Sequence, residues 1–175
     1  MGGLGPDSPG LGRRPKRSSD EGNCPHPRGF GRRQATGTRI TTPLFLALLA
    51  EALALAGKIE EGLATLDDAL AKAAVSGEKG CNAEIHRLRG ELTGRLPYPD
   101  PAKAEDSFRT ALAIAREQGS RGYELRAATS LARLWREQGR RGEARELLAP
   151  LYGWFTEGFD TADLKEAKAL LAELT

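Results

Sequence analysis

The feature that most limits how this chain can fold is a glycine-closed helix–turn–helix pattern that occurs more than once. Ala-Gly-Lys-Ile-Glu-Glu-Gly-Leu at 56–63 is matched by Gln-Gly-Arg-Arg-Gly-Glu-Ala-Arg at 138–145. In each, a glycine ends one apolar-periodic segment, a short turn follows, and a small residue (Gly62, Ala144) sits early in the next segment. Lys103-Ala104-Glu105 supplies the equivalent small residue between them, at spacings of 42 and 40 residues. Self-similarity at such a period marks stacked helical pairs, because one pair alone cannot bury its apolar face.

From Thr42 onward the apolar residues recur at helical spacing, and Ala, Leu, Glu, Arg and Lys lose little side-chain entropy in a helix. Thr42 before Pro43 predicts a first helix to about Ala56, stopped by Gly57. A second is expected over Ile59–Val75 and a third over Asn82–Gly94, broken by Leu96-Pro97-Tyr98-Pro99. Asp100-Pro101 starts a fourth that ends at Gly119, and a fifth spans about Arg121–Gln138. The sixth begins near Gly142 and reaches about Glu157, kinked at Pro150, which cannot donate to the helical ladder. Asp160-Thr161 caps a last helix to Leu174. No stretch alternates with period two long enough for a strand, so the expected class is all-α.

Placed on these helices, the apolar residues resemble the tetratricopeptide repeat. Leu46, Leu49, Ala50 and Leu53 fall on its first-helix positions, and Gly62, Leu66 and Ala69 on its second. Ile85, Leu88, Leu92, Ala104, Phe108 and Ala111 form the middle repeat; Leu131, Ala132, Trp135, Gly139, Ala144 and Leu148 form the last. The usual period is roughly 34 residues; this one is longer, with an insertion at Arg95–Asp100, and Leu151 stands where a small residue is usual. The resemblance implies a right-handed solenoid of about three helical hairpins. Leu164, Ala167, Leu171 and Leu174 line one face of the final helix, with Asp163, Lys165, Glu166, Lys168 and Glu173 largely off it, which suits a C-terminal cap. Trp154, Phe155 and Phe159 are expected to seal the joint before it. The segment 131–171, with Tyr152–Asp163 most distinctive, is similar to the C-terminal repeat region of multidomain proteobacterial regulators. Those proteins join a class III adenylate or guanylate cyclase domain to a predicted ATPase domain and then to tetratricopeptide repeats. The likeness covers about residues 43–175 and implies a regulatory context without a transferred activity. Gly31-Arg-Arg-Gln-Ala-Thr-Gly37-Thr38 has the wrong spacing for a phosphate loop and lacks its lysine.

The helix at 43–56 is apolar nearly all round, through Leu44, Phe45, Leu46, Leu48, Leu49, Leu53 and Leu55. Such a helix expects burial on every side. With no capping helix before it, the chain reads as the C-terminal end of something longer, or as a module that self-associates through this helix. Residues 1–40 hold nine of the 21 Gly and five of the ten Pro, with eight basic and three acidic residues. A segment of that kind cannot offset its ordering entropy and is expected to be a disordered tail, leaving 41–175 as the repeat domain. Phe30 is its lone aromatic, which disfavours a single-strand nucleic-acid binder. Two cysteines, no bilayer-length apolar run and no apolar core after the basic stretch 13–17 point to the cytoplasm.

No candidate catalytic, cofactor or metal site emerges. Cys24, His26, Cys81 and His86 have spacings that fit no zinc finger. Asp67 and Asp68, like Glu60 and Glu61, read as a solvated face. The best candidate surface is a groove formed by the first helices of the pairs. Arg126, Thr129, Arg133 and Arg136 share one face of the fifth helix, and His86 and Arg89 add to it from the third. Guanidinium groups bind carboxylates bidentately, so the expected partner is an acidic peptide or protein domain.

Overall fold

The computed structural model describes residues 42–175. The reading of 1–40 as a disordered tail, and the positions of Cys24 and His26, fall outside the described residues. Within them lie seven α-helices and no strand: α1 (Thr42–Leu55), α2 (Ile59–Ser76), α3 (Asn82–Gly94), α4 (Pro101–Glu117), α5 (Arg121–Glu137), α6 (Arg141–Gly153) and α7 (Ala162–Glu173). None is long and apolar enough to cross a membrane.

Three helix ends share one hydrogen-bond pattern. Gly57 N–H donates to the Ala54 carbonyl at 3.2 Å and Lys58 N–H reaches back to Leu53 at 2.9 Å. Gly119 and Ser120 repeat this on Arg116 and Ala115, and Gly139 and Arg140 on Arg136 and Trp135. Each is a Schellman turn, which satisfies two orphan carbonyls and needs a left-handed residue at its corner. Gly139 supplies it with φ of 79°. At the start of α4 the Asp100 carboxylate accepts from Lys103 N–H at 3.0 Å, with Pro101 in the first turn.

Two ends differ from expectation. α6 stops at Gly153, four residues short of Glu157. Pro150 removes one ladder donor, and Trp154 and Phe155 N–H groups fold back to Leu151 and Tyr152 in tighter three-residue turns. Thr161 occupies the N-cap of α7, but its hydroxyl donates to the Gly158 carbonyl at 2.7 Å and caps nothing.

The second helices of the pairs bury one repeated ladder. Gly62, Leu66, Ala69 and Ala73 in α2 match Ala104, Phe108, Ala111 and Ala115 in α4, and Ala144 and Leu148 open the same series in α6. The small members decide how close the helices come. A Cβ on Gly62 would lie 2.7 Å from Leu92 Cδ2 and 3.1 Å from the Ala50 carbonyl oxygen. Each helix packs on its chain neighbours, and α1, α3, α5 and α7 also touch in that order. All seven helices fall within one compact unit.

α1 departs from the expected packing. It buries Ala47, Ala50 and Ala54, while Leu46 and Leu53 are half-buried and Leu49 is 49% exposed. Small side chains face α2 because the approach at Gly62 leaves no room for leucines there. At the other end, Phe155 and Tyr152 pack on the core, whereas Trp154 and Phe159 stay about half exposed. Trp154 lies edge-on to Phe155 and under the Arg121 guanidinium, and Phe159 tilts against Tyr152.

Candidate functional site

The face shared by α3, α5 and α7 carries three rows of charge. On α3, Glu84, Arg87 and Glu91 are spaced three and four residues apart, so they stand above one another on one side of the helix. Arg87 is buried and grips Glu84 through both ends, Nε to Oε2 at 2.9 Å and Nη2 to Oε1 at 2.7 Å. It also donates to Glu91, which accepts a second hydrogen bond from Ser130 Oγ of α5 at 2.9 Å. Burial alone would lower the Arg87 pKa; the Glu84 hydrogen bond, with the charges of Glu84, Glu91 and Glu51, carries it above its ordinary value. Its guanidinium is therefore charged at every working pH.

The α5 arginines sit between this row and the carboxylates of α7. Arg126 Nη2 reaches Glu84 at 2.9 Å and its Nε lies 3.6 Å from Asp163. Arg133 pairs with Glu166 and stands 3.9 Å from Glu91. Arg136 pairs with Glu173 and lies 3.6 Å from Glu137. Each of the three guanidinium side chains keeps about a third of its surface in water. A guanidinium has five N–H donors, so these contacts leave donors open toward solvent. Arg87, Glu91, Arg126, Thr129, Ser130, Asp163 and Glu166 enclose a cavity of about 60 Å³, far below the roughly 300–1,000 Å³ of small-molecule sites.

Of the residues expected in the groove, Arg126, Arg133 and Arg136 come together on this face. Thr129 is buried and its hydroxyl donates to the Leu125 carbonyl at 2.8 Å. Arg89 turns to Asp67 of α2 at 3.1 Å. His86 is half-buried, and burial, then the Arg89 charge, lower its pKa, so it is neutral at pH 7. Sequence reading missed Glu84, Arg87, Glu91 and Ser130, although the three-and-four spacing of the first three was a usable signal. Cys81 is buried at the start of α3, and burial, with Glu78 nearby, raises its thiol pKa. No cluster of three His, Cys, Asp or Glu with metal-binding geometry exists among the described residues.

A second charge cluster ties α4 to the turn between α5 and α6. Glu105 accepts from Arg109 at 2.7 Å and from Arg140 at 3.0 Å, and Arg140 also forks onto Glu143. Both arginines lie over the Trp135 ring, at 5.6 and 4.5 Å from its centroid. The buried indole N–H of Trp135 has no hydrogen-bond partner among the described residues. Burial pushes the Glu105 pKa up, but the Arg109 hydrogen bond and the Arg140 and Arg109 charges bring it below its ordinary 4.5. The Arg140 hydrogen bond lowers Glu143, and the Lys103 N–H lowers Asp100. Lowered carboxyl values mean stability that is whole above the unfolded pKa and lost as pH falls through the folded one. The urea midpoint is therefore expected to hold from pH 7 down to about 4.5 and to drop below it. Glu105→Gln should give a shallower acid limb in the same titration.

No family model matches the chain. A stretch of 92 residues is 35% identical to the uncharacterized protein R02095 of Rhizobium meliloti (strain 1021). It makes up 53% of this chain and 9% of that protein, so the chain corresponds to a small part of a far longer relative.

Proposed function

We propose that residues 42–175 form a tetratricopeptide-like solenoid of three helical hairpins and a capping helix, acting as a non-catalytic protein-interaction module in the cytoplasm. The observation that carries this reading is the ladder repeated in α2, α4 and α6, with first helices touching in order and one shared face left between them. Repeat arrays use such a face to hold peptides or domains. The match to a small part of a much longer bacterial protein suits a repeat region within a larger signalling regulator, as the sequence resemblance implies.

The partner is an acidic segment engaging Arg126, Arg133 and Arg136 through their solvent-facing donors. It has to compete with Asp163, Glu166 and Glu173, which hold the same arginines from α7. Titration of a fluorescein-labelled oligoglutamate peptide by fluorescence anisotropy at low salt is expected to show weak, salt-sensitive binding. Arg133→Glu with Arg136→Glu should weaken it at least tenfold, since charge-assisted hydrogen bonds are worth about 1.5–3 kcal/mol each. Equal affinity in wild type and double variant would remove the arginine face from the function.

A further inference from the structure

α1 is built the reverse of its counterparts, with alanines inward and large apolar side chains outward. Leu44, Phe45, Leu48, Leu49 and Leu55 are 39, 56, 52, 49 and 79% exposed. They form one stripe, because positions 44, 45, 48, 49, 52 and 55 recur at helical spacing and Ala52 is also exposed. Superposing the turn at Gly57 on that at Gly139 sets Phe45 against Ala127, Leu48 against Ser130 and Leu49 against Leu131. In α5 those three residues are 0, 5 and 1% exposed, covered as α5 packs on α3 and α4. The stripe is thus the side through which a first helix in this fold receives another helical pair.

We propose that a second copy of this chain covers the stripe, the α1 helices of two copies packing against each other. Charge and area both favour this occupant. Glu51 is the sole ionisable side chain of α1, so two copies meet without a row of like charges. The five large side chains leave on the order of 500 Å² exposed, at the upper end of the largest patch on a typical monomer. Two such faces together give about 1,000 Å², the lower bound for a specific interface. The dimer is accordingly weak and concentration-dependent.

The test is sedimentation velocity and light scattering on the full chain from about 5 to 200 µM. The weight-average mass should rise from 18.8 kDa toward twice that value. Leu48→Glu should hold the protein at the monomer mass while its helical circular dichroism is unchanged, because Leu48 lies outside the core. Trp154→Glu, at an equally exposed apolar residue between α6 and α7, should dimerise like wild type. A wild-type monomer at 200 µM would overturn the proposal, whether the stripe is covered by the chain's own first residues or by a different protein. Loss of the dimer in both variants would overturn it as well.

Discussion

Phe108→Ala should lower the unfolding free energy of the helical body by about 3–5 kcal/mol, a large part of the roughly 5–15 kcal/mol that holds a domain of this size. Phe108 is 4% exposed and lies against Gly90 of α3. A Cβ on Gly90 would stand 2.5 Å from Cε1 of its ring, 2.7 Å from Cδ1 and 2.9 Å from Cζ. The ring occupies the space that the missing side chain leaves, which fixes how closely α3 and α4 approach. The reciprocal change follows. Gly90→Ala gains at most about 1 kcal/mol of helix propensity and incurs about 1–3 kcal/mol of overpacking, for a net loss. Combined with Phe108→Leu, it should cost less than the two single changes summed, because the smaller side chain vacates the clash. Urea unfolding followed at 222 nm reads these four variants against wild type; strict additivity would mean that the ring and the glycine do not meet.

Arg87→Ala is the second large effect, about 3 kcal/mol, near the bottom of the range for breaking a buried ion pair. Its cost comes from Glu84, which is 7% exposed and loses both bonds of the fork. Arg126 keeps one contact with Glu84, which holds the loss to the lower end. Replacing both charges, Glu84→Leu with Arg87→Met, should restore most of the stability, since no uncompensated buried charge remains. The urea midpoints of the single and double variants decide this. A double variant as unstable as Arg87→Ala would mean that the charges themselves hold α3 against α5.

Much of the helical order was legible because its causes are local. Glycine after an apolar-periodic run marks the Schellman turns at Gly57, Gly119 and Gly139, and Asp100-Pro101 marks the start of α4. The ladder of Leu66, Ala69, Phe108, Ala111 and Leu148 follows from helical period alone. α1 was harder to read: nearly every position is apolar, so periodicity has no contrast with which to choose a buried side. Closeness to Gly62 makes the choice, in favour of Ala47, Ala50 and Ala54. The groove arginines were legible as a set on one face of α5, but not their partners. Glu84 and Glu91 come from one helix, and Asp163, Glu166 and Glu173 from another, about 40 residues away on either side. Spacing within α5 carries no information about them. Glu84, Arg87 and Glu91 show the opposite case, with their pairing written in the spacing of α3 itself.

We propose that the arginine face of α5 accepts acidic protein segments and that α7 holds that place in the free chain. Titrating fluorescein-labelled oligoglutamate against Glu166→Gln with Glu173→Gln tests it most directly, because it asks for a gain. Removing the two carboxylates releases Arg133 and Arg136 from α7 and leaves the buried contacts of Leu164, Ala167 and Leu170, and of Leu174 at the helix end, in place. The expected result is binding several-fold tighter than wild type at low salt, with the difference shrinking as salt is added. Affinity unchanged or weaker in a variant that stays folded would contradict it.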